Sequence, residues 1–249
     1  MEISGSGMIA RALQPYHDQL EDVVAFARGV SNSAETEAAQ YEREFNLLVD
    51  TVKRCKTEGR RIVYFSSGGT IYGDFDGVRI EETVLSPTTA YGRQQLTCET
   101  MIVNSGVRYC ITRLANLVGA GQNPHQLIPA LVQQAVDGHA HLFKQASRDI
   151  LDVDDFARLL VQVLSALKQD QSEIVNIACG HSLPVMAMFA EIEAILGKSA
   201  EIELIDKGDV QQFSIDKLQR ILEGDVRFDA DYPLSVLRKY VPVFAGALL

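Results

Sequence analysis

The sequence predicts an α/β fold, a parallel sheet flanked by helices with a small C-terminal lobe, on three observations. Short runs rich in β-branched and aromatic residues, VVAFA at 23–27, RIVYF at 61–65, VRYCITR at 107–113 and EIVN at 173–176, alternate with longer stretches whose apolar residues recur at helical spacing. The first strand, at 1–4, runs straight into GSGMIA at 5–10, a glycine turn of the kind that joins a strand to a helix. The RIVYF strand ends in SSGG at 66–69 and a helix starts near Tyr91, which sets a tyrosine beside the carboxyl edge of the sheet, where open α/β sheets bind ligands.

Taken in order, Ile9, Leu13 and Tyr16 form the first helix, with Pro15 ending or bending it. Residues 22–28 are the second strand. Residues 31–44 hold Glu35, Glu37, Glu42 and Glu44, read as a solvated helix face, and the helix beyond carries the apolar stripe Phe45, Leu47, Leu48, Val52 and Cys55. After the RIVYF strand a polar excursion runs to the Ser86-Pro87 break, and Leu96, Met101 and Ile102 are the buried face of the Tyr91 helix. A strand at 107–113 leads into a loop at 114–121, then a helix at 126–136 stopped by Gly138. Asp154 or Asp155 caps a helix at 156–167, EIVN is the last sheet strand, and a helix over 185–196 stops at Gly197. A short strand at 202–205 and a final helix at 233–240 complete the chain, read as one α/β domain over 1–249. Within it, 1–115 and parts of 116–180 form the core, and about 120–150 and 180–249 form the smaller lobe.

A formal net charge of −10 and a pI near 5.0 repel phosphate backbones, which argues against a nucleic-acid partner. No leader-like segment and no run of about eighteen apolar residues is evident, so the expectation is a cytoplasmic protein without a membrane partner. Cys55, Cys98, Cys110 and Cys179 are too scattered for a zinc or redox motif and read as free thiols, buried or semi-buried. His139 and His141 are read as exposed rather than metal-binding, and no metal site is expected.

The motifs FSS at 65–67, YG at 72–73 and YG at 91–92 resemble the extended short-chain dehydrogenase/reductases, the NAD-dependent epimerase and dehydratase group that modifies nucleotide sugars. The resemblance implies a Rossmann-like core. It also implies Tyr91 as catalytic acid/base, with Ser67 and Thr70 as the nearest hydroxyls. Two positions depart from the family pattern: Gly68 stands where its catalytic Ser or Thr falls, and Gln95 stands where its catalytic Lys falls. That Lys lowers the tyrosine pKa, normally near 10, whereas Gln95 carries no charge and Arg93 faces elsewhere on the helix.

The same resemblance implies NAD or NADP as cofactor, contacted by Gly5, Gly7, Ser66 and Gln95. The glycine turn alone would also read as a plain tight turn. On the preferred alignment 23–27 is the family's fourth strand, so the second and third strands are missing, together with the acidic residue that holds the adenosine ribose. The alternative makes 23–28 the second strand, with Arg28 near an adenosine phosphate. RLANLVG at 113–119 gives Asn116 a diphosphate contact, its other reading being a turn residue bonded to its own backbone. RDILDVDD at 148–155 matches a family signature and makes Arg148 a phosphate ligand, against a salt bridge to Asp149 or Asp152. A homodimer built on the 41–56 helix and the Tyr91 helix is implied as well. Three functions follow: a nucleotide-sugar epimerase, dehydratase or keto-reductase; a degenerate nucleotide-sugar binder or partner subunit; and a cofactor-independent isomerase or lyase.

Overall fold

The structure is a computed structural model and describes residues 1–29 and 37–248. In chain order the elements are β1 (Glu2–Ser4), α1 (Met8–Leu13), a 3-10 turn over Gln14–Tyr16, β2 (Val23–Phe26), α2 (Ala38–Glu58), β3 (Arg61–Ser67), α3 (Gly68–Ile71) and β4 (Val78–Arg79). Next come α4 (Ala90–Ser105), β5 (Arg108–Leu114), β6 (Asn116–Val118), α5 (Leu127–Asp137), β7 (His139–Phe143), β8 (Ser147–Asp152) and α6 (Val153–Ala166). The chain continues through β9 (Glu173–Ile177), β10 (Ser182–Pro184), α7 (Val185–Leu196), β11 (Glu201–Ile205), β12 (Gln212–Phe213), α8 (Asp216–Ile221) and α9 (Tyr232–Gly246).

Five strands form a parallel sheet in the order β1-β2-β3-β5-β9. Its residues alternate between two cores because successive side chains on a strand point to opposite faces. Val23, Ala25 and Val63 pack with Leu13, Phe156 and Leu160 under α1 and α6. Val24, Phe26, Ile62 and Tyr64 pack with Leu48, Val52, Cys98 and Ile102 under α2 and α4. Each large side chain so buried contributes roughly 1.5–3 kcal/mol. The lobe packs α5, α7 and α9 around Leu131, Leu142, Phe189 and Leu237, and β10-β8-β6 forms a three-stranded sheet beside it.

Strand β2 lies between β1 and β3, the place of the family's fourth strand. A second strand would pair on the outer side of β1, so the alternative that puts Arg28 at an adenosine phosphate is not the arrangement found. Among the described residues β1 has no outer neighbour, and only 17–22 separate the 3-10 turn from β2. Three local expectations change. Glu44 is buried, not solvated, because it continues the stripe of Leu48, Val52 and Cys55 back by one turn; Glu35 lies outside the described residues. Asp152, not Asp154 or Asp155, caps α6, accepting from the Asp154 N–H at 2.9 Å. The polar excursion contains β4, which pairs with β12.

All four cysteines are free and buried. His139 and His141 are exposed on β7, not in a turn, and face Glu201 and Glu203 across the ribbon at 3.7 and 3.2 Å. Among the described residues no cluster of three or more His, Cys, Asp or Glu could hold a metal ion, and no helix is long and apolar enough to cross a membrane.

Candidate active site

A cleft of about 920 Å³ opens at the carboxyl ends of the sheet strands. Its walls come from the turn after β1, the ends of β2, β3 and β5, the start of α4, the 121–128 loop, Arg148 and Gln211. Parallel strands converge their carboxyl ends on one edge, which is why segments distant in sequence share this wall.

Tyr91 lies in the first turn of α4, where the Thr89 hydroxyl caps the helix by accepting from the Gly92 N–H at 3.0 Å. Burial, and then the Glu44 carboxylate, push the Tyr91 phenol above its ordinary value. The neighbourhood therefore keeps the proton on Tyr91, the opposite of what a lysine one turn on would do. Gln95, in that lysine's place, is almost wholly buried and accepts from the Tyr64 hydroxyl at 2.9 Å. Arg93 donates to the Thr88 carbonyl on the exposed side.

Ser66, Ser67 and Thr70 all line the cleft. The hydroxyls of Ser66 and Thr70 are buried and have no hydrogen-bond partner among the described residues. Gly68 is not an empty place: a Cβ there would lie 2.6 Å from Phe213 Cε1 and 3.0 Å from the Leu114 carbonyl oxygen. The Phe213 ring thus fills the volume in which a serine side chain would stand. Gly5 has φ +141° and would drive a Cβ to 2.0 Å from the Ala27 carbonyl oxygen, so only glycine fits between β1 and β2. A Cβ on Gly7 would meet nothing within 4 Å.

Asn116 Nδ2 donates to the Asp149 carbonyl at 3.1 Å, a bond to another strand rather than to its own turn. Arg148 pairs with Asp209, 2.9 Å from its carboxylate, instead of with Asp149 or Asp152, and still lines the cleft. Asp209 also takes Arg79 at 3.0 Å. Burial works against ionisation of Asp209, but the two guanidiniums and Gln211 hold its carboxyl below the usual range. Asp149 accepts the N–H groups of Cys179 and Gly180 at 3.0 and 2.7 Å, and burial raises its carboxyl to about 6.

The motifs do not reveal Glu44, Asp209 or Gln211 as neighbours of the cleft, nor the contact of Phe213 with Gly68. Helical spacing back from Leu48 is the one signal that would have found Glu44. The 209–213 segment carries no pattern that announces where it docks.

The model of the NAD dependent epimerase/dehydratase family matches residues 6–178. The chain belongs to that family. It is 28% identical over 167 residues to an uncharacterized UDP-glucose epimerase, YtcB, of Bacillus subtilis strain 168, covering 63% of this chain and 51% of the relative. It is 27% identical over 170 residues to a putative UDP-glucose 4-epimerase of Methanocaldococcus jannaschii, covering 63% and 54%. The chain thus spans about half the length of these relatives. Among solved structures, MoeE5 in complex with UDP-glucuronic acid and NAD superimposes with a TM-score of 0.77 at 19% identity, covering 92% of this chain and 80% of that one. RMD from Pseudomonas aeruginosa, complexed with NADPH, gives 0.79 at 17% identity, covering 98% of both. At such identities the likeness is one of fold.

Proposed function

We propose that the cleft binds a nucleotide sugar and that the chain acts on it as an NAD(P)-dependent epimerase, dehydratase or keto-reductase. The observation that carries this reading is convergence: Tyr91, Thr70, Asn116 and Arg148, from four separate segments, line one cleft at the carboxyl edge of a parallel sheet. The two matched relatives described as UDP-glucose epimerases support the substrate class.

NAD or NADP would supply hydride transfer, and Gly5, Gly7, Ser66 and Gln95 are the residues that would hold it. The open space at Gly7 and the unpartnered Ser66 hydroxyl fit such a group. The outer edge of β1 offers less to its adenosine half. Tyr91 is the acid/base: its phenol gives a proton to a sugar keto oxygen as that carbonyl is reduced, and as phenolate it takes a proton from a sugar hydroxyl as that hydroxyl is oxidised. Ser67 and Thr70 bring hydroxyls beside the position that Gly68 leaves without one. Asn116 and Arg148 hold the diphosphate, the guanidinium by its forked donors.

A second reading, nucleotide-sugar binding or a partner role without hydride transfer, is favoured by Phe213 at Gly68 together with the uncharged Gln95. Absorbance and mass spectrometry of the purified protein, followed by titration with NAD(H) and NADP(H), separate the two. No dinucleotide bound at millimolar concentration ends the first reading. A thermal-shift panel of UDP-, dTDP-, GDP- and CDP-sugars tests what both share, and indifference to all of them refutes both. The family resemblance further supports a homodimer, and the four unpaired cysteines suit a reducing compartment such as the cytoplasm.

A further inference from the structure

We infer that Gln211 is a sugar-recognition residue whose side-chain carbonyl accepts a hydrogen bond from a hydroxyl of the bound sugar. The inference rests on the nucleotide-sugar reading and names a specificity contact that reading does not contain. Gln211 is 7% exposed and lines the cleft. Its Nε2 donates to the Gly69 carbonyl at 3.1 Å and to Asp209 Oδ2 at 3.2 Å. Both partners are acceptors only, so the amide nitrogen must face them and the oxygen must face away. That oxygen, Oε1, is buried and has no partner among the described residues. It stands 3.0 Å from the point where a Cβ on Gly69 would sit, so the absence of a side chain at 69 is what admits it.

A buried acceptor left unpaired is costly, and a ligand that brings a donor removes the cost. Beside it, Phe213 has taken the volume of a side chain at Gly68. This part of the wall therefore places an acceptor at Gly69, next to the Gly68 position where the family pattern has a hydroxyl. A sugar hydroxyl can donate to Gln211, whereas a ketone oxygen cannot. Sites built to hydrogen-bond a substrate group discriminate strongly against ligands that lack it.

The test is isothermal titration of the full chain with three pairs: UDP-glucose and UDP, dTDP-glucose and dTDP, GDP-mannose and GDP. Gln211→Met keeps the length of the side chain without the acceptor, and Gln211→Asn withdraws the amide by one methylene. For the pair the wild type binds, the sugar nucleotide should bind more tightly than its diphosphate, and both variants should lose about five- to twentyfold of that advantage. Affinity for the diphosphate should stay within twofold. A residue that merely braces Asp209, and through it Arg148, would weaken the diphosphate in step, and that result overturns the inference. An unchanged sugar advantage in both variants overturns it while leaving the nucleotide-sugar reading intact. Failure of the wild type to bind any pair removes both.

Discussion

Around Tyr91 single side chains set the sign of the electrostatics. A lysine one helical turn on would favour the phenolate; here Gln95 spends its carbonyl on the Tyr64 hydroxyl and the nearby charge is the Glu44 carboxylate. Gln95→Lys is expected to lower the Tyr91 pKa, so that phenolate absorbance at 295 nm develops at lower pH than in the wild type, with Tyr91→Phe assigning the signal. An unshifted titration would show that charge at this position does not govern Tyr91. Gly68 yields a packing prediction. Gly68→Ser forces its Cβ against Phe213 and should cost about 1–3 kcal/mol. Phe213→Leu in the same chain should recover part of that loss, read as a coupling energy in a double-mutant cycle of denaturant unfolding; strictly additive costs would mean that Phe213 does not occupy the serine volume. The occupation of Gly68 was hidden from sequence reading because van der Waals exclusion between residues 68 and 213 has no local signature.

Among the elements, β1 and the turn after β9 carry titratable ties of opposite sign. Glu2, on β1, bonds Arg54 of α2 and also pairs with Arg60. The Arg54 bond, then that of Arg60, outweigh burial and hold the Glu2 carboxyl down to about 2. Its contribution is therefore present above the unfolded value near 4.5 and is lost as pH falls through about 2. Because the pair is half exposed, the effect is expected to stay below about 1 kcal/mol, and Glu2→Gln should flatten that part of a stability-against-pH curve. Asp149, on β8, has the reverse shift, raised from 3.8 to about 6 by burial. Its neutral form suits the fold, so its contribution is full below about pH 4 and falls away as pH rises through about 6. Chemical denaturation of Asp149→Asn across pH 4–7 should lack this slope, and an unchanged slope would assign it to another group. The strands themselves were legible because β2, β3, β5 and β9 are compact β-branched runs, whereas β4 and β12, two residues each, exist only through each other. The cap of α6 moved from Asp154 or Asp155 to Asp152 because acidic residues so close together cannot be ranked without the backbone angles.

For the whole molecule, α2 and α4 lie side by side on one face of the sheet and expose Leu47 and Val103. If two copies pair through these helices, light scattering at tens of micromolar should give twice the 27.4 kDa of the chain, and Leu47→Asp with Val103→Asp should return it to one copy; a wild type already monomeric there refutes the pairing. Among the described residues β1 is an edge of the five-stranded sheet, and Glu2 ties that edge to Arg54 of α2 and to Arg60. Strand periodicity, glycine turns and the spacing of FSS, YG and RDILDVDD are short-range properties, so the sequence by itself determined the parallel sheet and the place of Tyr91 at the carboxyl edge, while the pairing of β2 with β1 and β3 chose between the two placements of 23–28. Only the tertiary structure decided what surrounds that tyrosine. Glu44 behind it, Phe213 against Gly68, Gln211 above Gly69 and Asp209 on Arg148 are meetings between side chains far apart in the chain, produced when helices and lobe pack together on the sheet and volumes and charges are buried against one another.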